Sequence, residues 1–93
     1  MLGQKLRELR EAKGLVQRQV AAKLDVDTAY VSKIESNEKP VSRQHLKKLS
    51  SLLEISEEDL VTFWLADKIL NVIDNEPYKK RALNLALNQV ENE

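Results

Sequence analysis

Residues 15–40 read LVQRQVAAKLDVDTAYVSKIESNEKP, and their apolar spacing decides the fold. Val20, Ala21 and Leu24 fall on one face of a helix over about 17–24, and Val31 and Ile34 on one face of a second over about 28–36. Asp25 and Val26 break the pattern between them, and Asp27 is a good N-cap for the second helix. Two short helices joined by a tight turn, the second rich in small and polar side chains, are what a protein needs to seat one helix in a DNA major groove.

Outward from this stretch the same period of three and four continues, strict alternation is absent, and only two Gly and two Pro interrupt 93 residues. The chain is therefore predicted to be all-α. Leu2, Leu6 and Leu9 give a first helix over about 2–13, stopped by Gly14 in the left-handed conformation. Ser36 to Pro40 form a loop, because Asn37 tolerates that conformation and Pro40 disfavours helix before it. Ser42 is read as the cap of a fourth helix striped by Leu46, Leu49, Leu52 and Leu53 and lasting until Ile55. Ser56 caps a fifth, with Glu57, Glu58 and Asp59 in the first turn, where acids are favourable. That helix is expected to run to about Asp74. Pro77 suits the first position of a sixth, ending near Val90.

The quoted stretch resembles the helix-turn-helix of the phage repressor and Cro-like (Xre-type) family. Its usual pattern runs Thr/Ser-Gln-x-x-Leu-Ala-x-x-Leu-Gly-Val-Ser, then Ile-Ser-x-Ile-Glu-Asn-Gly. Gln17, Val20, Ala21, Leu24, Val26, Val31, Ser32, Ile34 and Glu35 match, and Pro40 and the leucine-rich fourth helix follow at the family's distance. The resemblance covers residues 2 to about 62. It implies a five-helix phage-repressor-like DNA-binding domain over 1–62 with a helical extension over 63–93. The departures are Asp25 and Asn37 in place of two glycines, where they are the least costly substitutes. Val16 stands where Ser or Thr usually caps the second helix, at a cost of about 1 kcal/mol. Asp27 favours the helix but opposes phosphate.

The resemblance further implies that Thr28, Ala29, Ser32 and Lys33 meet base edges. The chemistry agrees: Lys33 suits guanine O6 or N7, Thr28 and Ser32 suit several edges, and the Ala29 methyl suits thymine. The alternative for each is a solvated helix position. Gln17 corresponds to the family glutamine bridging a phosphate and the recognition helix. Backbone contacts are implied for Lys39, Arg43 and Gln44. Arg10 and Glu35 correspond to a pair joining the first helix to the third. Tyr30 is left open between phosphate, base and a shield for the helix flank.

Charge supports a division of the chain. Residues 1–48 hold eleven Lys or Arg against six Asp or Glu, a net of +5, and residues 49–93 hold four against nine, a net of −5. A basic half suits a polyanion and an acidic half does not. Phe63, Trp64, Leu65, Ile69, Leu70, Val72, Ile73, Ala82, Leu83, Ala86, Leu87 and Val90 form apolar stripes in the extension that need a partner. They are read as a homodimer interface, with Trp64, Ile69, Leu70, Ile73, Leu83 and Leu87 at its centre and an intrachain core as the alternative. A dimer places two recognition helices about 34 Å apart on a palindromic operator. In this the chain resembles the small controllers found beside restriction-modification or prophage genes, and the resemblance implies the same domain with a helical dimer extension.

An enzyme is disfavoured. His45 is the single histidine, there is no cysteine, and no Gly-rich phosphate loop exists, so no cofactor or metal is expected. His45 is read as a helix-surface residue close to phosphate. Without signal peptide or membrane-length apolar run, the expected location is cytoplasmic. The function predicted is a sequence-specific transcriptional regulator, a repressor or autoregulator. The alternative is an antitoxin or anti-regulator acting through protein partners.

Overall fold

The computed structural model describes residues 1–93 and realises the apolar spacing as helices alone. In order these are α1 (Leu2–Ala12), α2 (Gln17–Leu24), α3 (Thr28–Glu35), a 3-10 turn (Arg43–His45) leading into α4 (Leu46–Leu53), α5 (Glu57–Ile73) and α6 (Lys79–Glu91). One core holds them. Leu2 and Leu6 of α1, Val20, Ala21 and Leu24 of α2, Val31 and Ile34 of α3, Leu46, Leu49 and Leu53 of α4, and Leu60 and Trp64 of α5 meet in it, joined by Val41 from the loop. No helix is long and apolar enough to cross a membrane.

The helices end by a shared device. Gly14, Asp25, Asn37 and Glu54 all have positive φ, between 56° and 70°. In each case the next residue's N–H reaches back to the last turn: Leu15 to Arg10, Val26 to Ala21, Glu38 to Lys33 and Ile55 to Ser50. These are Schellman motifs, and Leu15, Val26 and Ile55 supply the apolar contact that accompanies them. Gly14 therefore behaves as the sequence predicts, and the two residues standing for glycine do adopt the glycine conformation.

Two local expectations, at Ser42 and Pro77, are corrected. The Ser42 side chain makes no capping hydrogen bond, because the chain enters α4 through the 3-10 turn instead. α6 begins at Lys79, two residues beyond Pro77, which lies in the turn. Val16 cannot cap α2, yet Gln19 Oε1 accepts from its backbone N–H at 2.9 Å, so half of a capping box survives. Ser56, by contrast, caps α5 as read, accepting from the Asp59 N–H at 3.0 Å.

α5 runs unbroken across the 62/63 boundary and carries Trp64 into the core. Trp64 is 9 % exposed, and its indole N–H donates to the Val41 carbonyl at 2.7 Å. This corrects its expected place at a dimer interface: its ring is covered within the single chain. Beyond Lys68 the picture reverses, since only Ile73 and Leu83 are partly covered and α6 buries no residue. The distal half of α5 and α6 project, and the radius of gyration is 15.0 Å against about 12 Å for a compact chain of this length.

Candidate nucleic-acid interface

α3 turns two faces to two media. Val31 and Ile34 are inside, while Thr28, Ala29, Ser32 and Lys33 are exposed and fall on one stripe, being one turn apart. Asp27 fixes the start of the helix, its Oδ1 accepting from the Tyr30 N–H at 2.8 Å. That carboxylate therefore has a partner, which tempers its opposition to phosphate.

Below the stripe, Glu35 anchors α3 to both preceding helices. It accepts from Arg10 Nε at 2.7 Å and Arg10 Nη2 at 3.1 Å, and from Gln17 Nε2 at 3.1 Å. Arg10 also donates to the Leu15 carbonyl at 2.8 Å. The Arg10 and Glu35 side chains are only 11 % and 5 % exposed. The Glu35 hydrogen bonds push the guanidinium pKa above its ordinary value, against the opposing pull of burial. Gln17, the first residue of α2, thus touches α3 through Glu35 and is itself half-buried.

Lys39, Arg43 and Gln44 are exposed on the segment after α3. The Arg43 guanidinium lies 5.4 Å from the centre of the Trp64 ring, and Lys68 lies 4.4 Å from it. Gln44 and Lys48 border a shallow depression with Leu24, Asp25, Val26 and His45, beside the α2–α3 turn. The 3-10 turn is thereby brought against the helix-turn-helix itself.

His45 departs from its expected place on the surface. It is 9 % exposed, and its Nδ1 lies 3.2 Å from the Tyr30 hydroxyl. Tyr30 accordingly shields the flank of α3 and points toward His45 rather than along the exposed stripe. A second residue passed over in the sequence is Gly3. A Cβ there would lie 2.4 Å from the Ile34 carbonyl oxygen, 2.6 Å from Asn37 Oδ1 and 2.7 Å from the Glu35 carbonyl oxygen, and its N–H donates to Asn37 Oδ1 at 3.1 Å. α1 can approach the end of α3 this closely only without a side chain at that point.

Known proteins share this arrangement. Residues 6–60 match the helix-turn-helix family model. The control protein C.BamHI of Bacillus amyloliquefaciens is 33 % identical over 64 residues, 68 % of this chain and 79 % of its own length. Among solved structures, the restriction-modification controller C.AhdI of Aeromonas hydrophila is 41 % identical with a TM-score of 0.58, over 63 % of this chain and 89 % of that one. SinR, a master regulator for biofilm formation, aligns in its complex with DNA at 35 % identity and TM-score 0.58, over 66 % of this chain and 98 % of its own. The SinR–SinI complex aligns at 25 % identity and TM-score 0.58 over 99 % of this chain and 98 % of that one. With the matched segment spanning α2, α3 and the leucine-striped α4, the chain belongs to the Xre-type helix-turn-helix family of DNA-binding transcription regulators.

Proposed function

We propose that two copies of this chain pair through the distal part of α5 and α6 and read a palindromic operator, acting as a repressor or autoregulator in the cytoplasm. The observation that carries the reading is the stripe of Thr28, Ala29, Ser32 and Lys33, exposed on a helix whose other face and C-terminal end are fixed by the core and by Glu35. Small polar groups and one cation on a rigid helix are suited to base edges, whereas a protein-binding face would expose large apolar groups. Gln17, Lys39, Arg43 and Gln44 are assigned to phosphates.

Pairing is supported by surface. The chain exposes 6722 Å², where a compact monomer of its mass exposes about 5,500 Å². The excess exceeds the roughly 800 Å² that each partner contributes to a standard interface. Ile69, Leu70 and Leu87 are 50 %, 43 % and 55 % exposed. Two experiments test the reading. Selection of bound sequences from a random duplex pool is expected to return an inverted repeat; a pool without enrichment rejects sequence-specific binding. The solution mass is expected to be twice that of the chain, falling to one on truncation after Ile73, a cut that spares Trp64.

A second reading keeps the same hairpin but covers it with a different helical protein. SinR's complex with SinI, aligned over almost the whole of this chain, is what favours it. A monomeric chain in solution would move the balance to this reading.

A further inference from the structure

The segment 41–45 carries two of the groups assigned to phosphate, Arg43 and Gln44, and it is pinned at both ends. At one end Val41 accepts from Trp64 at 2.7 Å; at the other His45 meets Tyr30, with ring centroids 5.5 Å apart and planes tilted by 58°. The Tyr30–His45 hydrogen bond, at 3.2 Å, is the one side-chain hydrogen bond between α3 and this segment. Tyr30 follows Ala29 directly and lies within one turn of Lys33 on the same helix, whereas His45 follows Gln44 and closes the 3-10 turn, immediately before α4.

We propose that His45 is a positioning residue, which through Tyr30 locks the phosphate-contacting 3-10 turn to the recognition helix. The inference rests on the DNA-reading function proposed above and adds a residue that this function does not itself require. Packing of two rings leaves a sliding freedom, because dispersion is not directional. A hydrogen bond removes it, since the bond weakens steeply away from linearity. Both partners are suited to this: the phenol can donate to a neutral Nδ1, or accept from a protonated one. Backbone contacts set where a reader sits on the duplex, and base contacts test that register. A turn free to shift against α3 would let phosphates be held in registers where Lys33 and Thr28 miss their bases. Loss of the bond should therefore lower discrimination more than attachment.

The test compares the affinity of the full chain for its selected operator with that for a shuffled duplex of equal length. Tyr30→Phe, which keeps the ring and removes only the hydroxyl, is expected to lower the operator-to-shuffled ratio roughly three- to tenfold, the scale of one net hydrogen bond. His45→Ala should do the same, and the double variant should be no worse than the more damaging single one. His45→Asn, whose amide places a polar atom where Nδ1 stands, should restore most of the ratio. A wild-type chain that discriminates, with both single variants leaving the ratio unmoved or lowering affinity for both duplexes alike, overturns the proposal alone. A wild-type chain that prefers no duplex overturns the DNA reading and this inference with it.

Discussion

Glu35 accepts three hydrogen bonds while almost fully buried, and that combination makes it the most sensitive polar position in the molecule. Glu35→Ala would strand the Arg10 guanidinium, and chemical denaturation is expected to show a loss of about 3–5 kcal/mol. The raised pKa of Arg10 has a definite sign: its stabilisation is complete below the unfolded value and fades only as pH rises through the still higher folded one. Arg10 should consequently add no pH dependence near neutrality. Gly3→Ala drives a methyl into backbone oxygens and should cost about 2–3 kcal/mol in the same measurement. On DNA, Lys33→Ala is expected to relax preference at one operator position, whereas Arg43→Ala should weaken all sequences alike and reduce the salt slope. Equal losses on operator and random DNA for both would refute that division. Of these residues, Arg10, Glu35 and the α3 stripe were legible because they stand at spacings the family repeats. Gly3 and His45 were not, since their partners lie 31 and 15 residues away in the chain and no period links them.

The helix ends teach the same lesson at the next scale. Gly14 and Asn37 announce the left-handed conformation by residue type, and Asp25 does so by standing where glycine is usual. Glu54 gives no such signal. It is forced to φ 56° because Ile55 turns back onto the core, and it is left with an exposed ion pair to Lys13. Relieving the backbone strain should outweigh the loss of that pair, which is worth under about 1 kcal/mol. Glu54→Gly is therefore expected to raise the thermal midpoint by a few degrees, equivalent to about 1 kcal/mol; an unchanged or lowered midpoint contradicts it. The start of α4 was misread for a related reason. Ser42 has the chemistry of a cap, but Trp64 and Tyr30 hold the chain on either side of it and impose a 3-10 turn.

Across the whole molecule, periodicity predicted an apolar tail, yet it could not say where the core stops. The structure draws that line inside α5, after the turn bearing Trp64 and Asp67, whose Oδ1 accepts from the Leu2 N–H at 3.3 Å. A hydrogen bond between residues 65 apart in the chain leaves no trace in local spacing. Ile69→Asp tests what lies beyond: it should leave the core intact by thermal melt, halve the solution mass, and weaken operator binding at low concentration. A dimer that persists would place the contact elsewhere. α6 spans 13 residues and buries none of them, and an isolated helix of that length is marginal in water. On the proposed pairing a second copy supplies its cover, and both its folding and operator occupancy would then be functions of how many chains the cell holds. Below the pairing threshold, occupancy would then rise with the square of copy number, and the bare hairpin would make the protein a counter of its own abundance.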